Sequence, residues 1–416
     1  LKAQLGSNVN FTIYSENSNN IYIVEFIKTN RKYRINENLT IEDVSYAGQY
    51  FNVDTIMNLK ENNTNYKIKI PAGFTISKIP SETSIENGIV IYKGDLSNLS
   101  WEDWIADEKL LQEKSDGYYD VQELYDQFVW VPIKKPIAID ANNDSIIDME
   151  DLKLMIADEQ YPMAIPINNE DTDVHYRGIL YDFQTKTDSD KRDYIEISVR
   201  NYTYGTSYYE PGYLDDIDSS TYNETGITSE SLQAEFDNMI EHVSINEGFW
   251  VGRYETSHLG NEKVKIIRGT SIYVNATWYE GYIKQKEYIN TQETLSNMIW
   301  GCQYDQIALW MRNIKNFNKN IFYIFNFLSM GNYKTNDDLY LDKAITGVDD
   351  KFKVKNIFDL AGNLWEWTQE TSGSKCRTSR GGSYNSFAVY GVMSIRFPYD
   401  DPHNSNAEIG HRITIY

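Results

Sequence analysis

The sequence predicts an α+β protein, with a main domain of mixed sheet and two helices preceded by a small β-rich N-terminal domain. Three observations carry this. Period-2 alternation in VNFTIY and NIYIVEF marks half-buried strands near the N-terminus. Leu232, Phe236, Met239, Ile240 and Val243 recur at helical spacing. The 33 tyrosines among 416 residues favour strands and recognition surfaces over a helical enzyme.

The composition, 41% hydrophobic and 24% charged, is that of a folded chain long enough for two or three domains and a substantial core. A net charge of −22 argues against nucleic acid or an anionic membrane surface as partner, since either would be repelled. The most apolar stretch, IFYIFNFLSM at 321–330, is interrupted by Asn326, so no membrane span is expected. A chain beginning at Leu1 fits removal of a leader or anchor. Cys302 and Cys376 are too few for a zinc cluster and are expected to be buried free thiols.

Taken in order, residues 1–95 read as the small β-rich domain, a stalk or spacer. YKIKIPAGFTISKI and GIVIYKG supply its later strands, and Pro71 with Gly73 marks a turn. Residues 96–126 read as an acidic helical connector, with Trp101, Trp104, Ile105 and Leu111 on one face. QFVWVPI at 127–133 is a strong strand, ended by Pro136, and opens the main domain, 127–416. Residues 170–225, rich in Asp, Tyr, Thr and Gly without a sustained period, read as long loops over the sheet.

A helix is predicted over 229–245, with Thr228 or Ser229 as N-cap and Gly248 beyond its end. FWVGRYETS at 249–257 follows as a strand. A second helix is predicted over 292–313, burying Leu295, Ile299, Tyr304, Ile307, Ala308 and Met311.

One insertion, DANNDSIIDMED at 140–151, carries metal chemistry. Calcium takes six to eight hard oxygens, and this spacing offers Asp140, Asn142 and Asp144 by side chain, Ile146 by carbonyl, Asp148 directly or through water, and Asp151 at position twelve. The closing aspartate resembles the loop of dockerin modules, and LKLMIA would be the exiting helix. Ser145 stands where glycine usually makes the turn. A single such loop would be a structural clamp.

The C-terminal run from Lys355 to Tyr416 holds the least probable clusters: KNIFDLAGNLWEWTQE, then SRGGSYNSFAVYGV, then EIGHRITIY. Trp365, Glu366 and Trp367 need a special site, because buried indoles and a buried charge all require partners. Arg380 offers a planar fork of donors, and Glu366 is its expected acceptor. These motifs resemble the formylglycine-generating (sulfatase-modifying) family, which has a C-type-lectin-like fold: G-N-x-W-E-W at Gly362 to Trp367, R-G-G-S-aromatic at Arg380 to Tyr384, and Gly410-His411-Arg412 with histidine in place of phenylalanine. The family's enzymes use a thiol pair, and the corresponding places hold Ser386 and Gly391, so the resemblance implies the fold without the oxidation. It also implies a second metal option, Asp359 and Glu366 with the carbonyls of Gly362 and Leu364.

The run further resembles the variable proteins of diversity-generating retroelements, in which mutagenesis at adenines turns AAY codons into NNY. Such a tract cannot readily hold Lys, Glu, Gln, Met or Trp. From Ser383 to Tyr416 only Met393 and Glu408 belong to that set, against nine residues in the equal stretch Asp349 to Gly382. The resemblance implies a hypervariable tract, 383–416, that binds a protein or other surface ligand. The residues assigned to contact are Tyr384, Asn385, Ser386, Phe387, Tyr390, Ser394, Tyr399, Asp400, Asp401, His403, Asn404 and Asn406, types that supply rigid aromatic area and adaptable hydrogen bonds. Trp365, Glu366, Trp367, Arg380, Gly381, Gly382, Gly410 and Arg412 are assigned to scaffold.

The five histidines, at 175, 242, 258, 403 and 411, assemble no catalytic constellation, and His403 and His411 are expected as contact or surface residues. The reading is a non-enzymatic receptor-binding protein. Its competitors are an oxidoreductase homologue and a structural surface or phage tail protein. An acidic, calcium-compatible chain with a leading β domain fits exposure outside the cytoplasm, on a bacterial surface or a phage particle.

Overall fold

The computed structural model describes residues 11–15, 22–26, 31–35, 41–42, 46–61, 64–99, 104, 121–133, 208–209, 227–258, 263–312, 331–333, 343–372, 376–386 and 396–416. The architecture is mixed α+β, mostly sheet with few helices. Strands β1 (Phe11–Ser15), β2 (Tyr22–Phe26), β3 (Arg31–Ile35) and β4 (Ile41–Glu42) form an antiparallel meander, as the early alternation predicts.

The main sheet has seven strands. Its two central members, β10 (Gln127–Pro132) and β12 (Gly248–Gly252), are buried at every position. A strand covered on both faces reads as a near-continuous apolar run, which is what QFVWVP and GFWVG show. Alternation divides the core: Val129, Val131, Phe249 and Val251 face one cluster, while Phe128, Trp130 and Trp250 face another. Trp130 and Trp250 are cross-strand partners with ring centroids 5.1 Å apart.

Beyond β10 the sheet continues through β9 (Val90–Lys93), β8 (Phe74–Ile76) and β5 (Tyr50–Phe51). Phe128 and Val129 pair directly with Ile91 and Val90, so strands from residues 1–95 and from 127–132 share this sheet. Short strands separated by turns carry no mark of which sheet they join. On the other side lie β22 (Ile413–Ile415) and β15 (Ser296–Met298), so the C-terminus is a sheet strand next to β12. Small hairpins pair β6 (Thr55–Glu61) with β7 (Thr64–Ile70), β13 (Ser257–His258) with β14 (Val264–Lys265), and β16 (Lys353–Val354) with β17 (Ile357–Phe358).

Of the connector, Trp104 and the one-turn helix α1 (Val121–Leu124) are described; Trp101, Ile105 and Leu111 lie outside the described residues. Helix α2 (Ser229–Asn246) starts from Thr228, whose hydroxyl accepts the N–H of Ser231 at 3.1 Å while the Thr228 N–H donates to the Ser231 hydroxyl at 2.9 Å. Phe236, Met239 and Val243 pack with Phe249 and Val251. Glu247, at φ 58°, ends the helix just before β12.

The helix expected over 292–313 is shorter. Residues 296–298 are strand β15 and the helix starts only at Gly301; another helix precedes it, so the chain order is α3 (Trp278–Lys286) and α4 (Gly301–Arg312). Pairing of Ser296–Met298 with β22 overrides the helical pattern that began at Leu295 and Ile299. Tyr304, Ile307 and Met311 are buried on α4 as predicted. Helix α3 has the signature Thr277-x-x-Glu280: Glu280 N–H donates to the Thr277 hydroxyl at 3.2 Å and the Thr277 N–H to Glu280 at 2.8 Å. That sequence signal was open to reading and would have placed it.

A second sheet orders β11 (Tyr208–Tyr209), β18 (Trp365–Ser372), β19 (Cys376–Arg380) and β20 (Arg396–Asp400), with β21 (Ile409–His411) parallel to β18. Among the described residues no helix is long and apolar enough to cross a membrane.

Candidate functional site

The C-terminal motifs meet where β18, β19 and β21 adjoin the main sheet. Arg412 is fully buried, and its Nε donates to Glu366 Oε1 at 2.7 Å while Nη2 stands 2.6 Å from the same oxygen. Nη1 donates to the Gly252 carbonyl at 2.8 Å and Nη2 to that of Phe358 at 2.9 Å. The pairing expected between Glu366 and Arg380 is therefore corrected. The two residues are cross-strand partners, yet Arg380 lies 3.5 Å from Glu370 and over the Tyr304 ring.

Around this pair sit two more buried carboxyls. Asp359 accepts from the Thr346 hydroxyl at 2.9 Å and the Gly347 N–H at 2.8 Å, and Glu255 accepts from Asn363 Nδ2 at 2.7 Å. Burial lifts all three acids above the usual carboxylate range, Glu255 furthest because Asp359 and Glu366 add their charges to it. Arg412 works against this rise in each case. Among the described residues Glu255 Oε1, Asp359 Oδ1 and Glu366 Oε2 meet no hydrogen-bond donor. These are the hard oxygens a cation takes, although among the described residues no three acidic, histidine or cysteine side chains are grouped to hold a metal ion.

The motif glycines serve close approach. Gly362 has φ +75°, and a Cβ there would stand 2.6 Å from the Asn332 carbonyl oxygen; at Gly381, φ +91°, it would stand 2.8 Å from that of Leu360. The scaffold assignment holds for burial: Glu366, Trp367, Arg380, Gly381, Gly382, Gly410 and Arg412 are buried, and Trp365 is half-buried. His411, expected as a contact or surface residue, is instead fully buried. It stacks on Tyr273 at 5.4 Å, and Tyr273 stacks on His258 at 5.1 Å, so the imidazole fills an aromatic place. Burial pulls His411 down to about 4.

Of the contact candidates, Asn385, Asp401, His403, Asn404 and Asn406 are exposed and Tyr384, Ser386 and Asp400 half-buried. Phe387, Tyr390 and Ser394 lie outside the described residues, as does the side chain of Tyr399. The turn at 383–386 is anchored by Tyr384 N–H donating to the Asn363 carbonyl at 2.8 Å. The turn at 401–406 is anchored by Trp278 N–H to the Pro402 carbonyl and Asn275 N–H to that of Asn406, both at 3.1 Å.

Glu408 braces the two turns. Its carboxylate accepts from the Ser383 hydroxyl at 2.9 Å and from Asn385 at 3.0 Å, and its N–H donates to Asn406 Oδ1 at 2.8 Å. His403 lies 3.1 Å from Asp401 and rests on Tyr279 of α3, ring centroids 5.2 Å apart. Asp400 accepts from the Ser379 hydroxyl at 2.6 Å, and burial lifts its carboxyl to about 6 against that bond. Phe397, 39% exposed and 5.3 Å from the Trp365 ring, belongs to the same region and was missed by the sequence reading. Its position in a tyrosine- and phenylalanine-rich tract was the available signal.

The calcium-type loop, Asp140, Asn142, Asp144, Ile146, Asp148 and Asp151, lies outside the described residues. Cys302 is buried and Cys376 partly so, and neither forms a disulfide.

No protein-family model and no curated protein matches the chain. Solved structures similar to the chain at low identity include two from bacteria. PvdO from Pseudomonas aeruginosa is 12% identical at a TM-score of 0.31, with 40% of this chain and 80% of that one covered. Treponema denticola variable protein 1 is 11% identical at a TM-score of 0.22, with 38% of this chain covered, and the chain spans 54% of that protein's length.

Proposed function

We propose that the chain is a non-enzymatic ligand-binding protein that displays a hypervariable C-terminal surface on a C-type-lectin-like scaffold and is the product of a diversity-generating retroelement. One observation supports this above the rest. Within the terminal run, the motif residues Trp367, Arg380, Gly410 and Arg412 are buried, while Asn385, Asp401, His403, Asn404 and Asn406 are exposed on turns tied down from behind. Side chains so placed can vary without touching the core, which is the physical requirement for diversifying a binding surface.

The partner is a protein or other surface ligand, bound outside the cytoplasm on a bacterial surface or a phage particle. Calcium at Asp140, Asn142, Asp144, Ile146, Asp148 and Asp151 acts as a clamp in this reading. The oxidoreductase alternative lacks support at Ser386 and Gly391, where its thiols would stand.

The test is genomic and then biochemical. The coding region should neighbour a reverse transcriptase gene and a near-copy of the 383–416 segment, with mismatches concentrated at adenines. Independent isolates should differ at exposed positions and agree at Trp367, Arg380 and Arg412. Variation spread evenly over both groups would rule the reading out.

A further inference from the structure

A concave site lies apart from the C-terminal tract. A cleft of about 530 Å³ opens between the end of β9, the start of β14 and the last turn of α3, and none of the described residues lining it belongs to 383–416. Its size is that of a small-molecule site. Four of its lining residues are lysines, Lys93, Lys263, Lys265 and Lys284. They are gathered in a chain with 39 basic and 61 acidic residues, where chance would surround any lysine with carboxylates.

The acids of the cleft, Asp126 and Glu287, offset only part of this charge. Asp126 is already engaged: Oδ1 accepts the Ile266 N–H at 2.8 Å, and Oδ2 accepts the Tyr288 hydroxyl at 2.8 Å and lies 3.8 Å from Lys265. Glu287 is exposed at the rim. Among the described residues Lys93, Lys263 and Lys284 form no ion pair with a carboxylate. Lys93 Nζ sits 3.7 Å from the centre of the Tyr288 ring. Burial lowers its pKa, and Lys265 and Lys263 lower it further against Asp126. Lys284 Nζ is 3.4 Å from His258 Nε2 and 4.8 Å from the Tyr273 ring centre, contacts that leave its charge uncompensated.

We propose that this cleft binds a small molecule through an oxyanion, phosphate or carboxylate, held by Lys93, Lys263, Lys265 and Lys284. Lysines act as point charges toward either group, and an anion among them relieves their mutual repulsion. The side chains of Tyr125 and Tyr288 leave room beside the charge for the body of the ligand. The site is independent of the variable-surface reading, since it uses none of that surface's residues.

Titration calorimetry at fixed ionic strength, with inorganic pyrophosphate, glucuronate and neutral glucose as probes, tests it. Saturable binding of pyrophosphate identifies a phosphate site, and of glucuronate a carboxylate site; glucose should not bind. Lys263→Glu, an exposed substitution, should weaken binding tenfold or more with its thermal melt unchanged, and Asn404→Ala with Asn406→Ala should bind as the wild type does. The proposal fails if neither anion saturates, if Lys263→Glu binds like the wild type, or if the C-terminal variant loses the anion.

Discussion

Arg412 holds one oxygen of Glu366 with both Nε and Nη2, at 2.7 and 2.6 Å, and neither side chain reaches solvent. Its other bonds run to the carbonyls of Gly252 and Phe358, so this one side chain ties β21–β22 to β18, β12 and β17. Arg412→Met should cost about 3–5 kcal/mol in urea unfolding, because it strands a buried carboxylate. Adding Glu366→Gln should recover part of the loss, since the stranded charge goes with it. A double variant as unstable as the sum of the singles would show that the two residues are not coupled.

The motifs announced that Glu366 and Arg380 would be buried, but not which acid each arginine meets. That choice depends on Glu370 and Arg412, which the strand register brings in from four and thirty-two residues further along. The central strands were legible because both faces are apolar, and α2 because its cap and its stripe agree. Strands β8 and β9 were read as strands, but their place in the same sheet as β10 was not legible, since pairing partners leave no local trace. At the site, the reading rests on the residue types excluded by NNY codons. One of the tract's exceptions, Glu408, is the side chain that braces the two turns.

His411 gives the chain an acid-sensitive core. A histidine held at about 4 when folded, against 6.5 when free, stays neutral while the unfolded chain takes up a proton, so its contribution is intact above 6.5 and is lost as pH falls toward 4. The gap amounts to about 3 kcal/mol. Asp400, lifted to about 6, acts in the opposite sense: it favours the folded state at low pH, and that contribution is lost as pH rises from about 4 through 6. The two partly cancel in the wild type. His411→Phe should therefore gain stability relative to wild type as pH drops from 7 to 4.5, and Asp400→Asn should lose it. Parallel melts across that range decide, and identical pH profiles for all three proteins would remove both assignments.

Calcium should raise the unfolding temperature if the loop from Asp140 to Asp151 takes the ion, as any ligand of the folded state must. At a free concentration a hundred times the dissociation constant the gain is about 2.7 kcal/mol. The measurement is scanning calorimetry with calcium and with chelator, on wild type and on Asp140→Ala with Asp144→Ala. Equal responses from both proteins would mean that the loop is an acidic turn.

The last expectation separates scaffold from surface by cost. Trp367 is fully buried in β18 and packs with Trp278, Met298 and Ile409, so Trp367→Ala should cost about 3–5 kcal/mol. His403, Asn404 and Asn406 are exposed, and the triple alanine variant loses one bond among them that matters to the fold, from the Glu408 N–H to Asn406 Oδ1. Its cost should be near 1 kcal/mol, most of it from Asn406, with His403 and Asn404 each within about 0.5. Glu408→Ala lies between the two classes: it frees Ser383 and Asn385 together and should cost about 1–2 kcal/mol while loosening both turns. Ranking the three variants by urea midpoint requires no knowledge of the ligand. If the triple variant unfolds as readily as Trp367→Ala, those side chains carry the fold and cannot be free to vary.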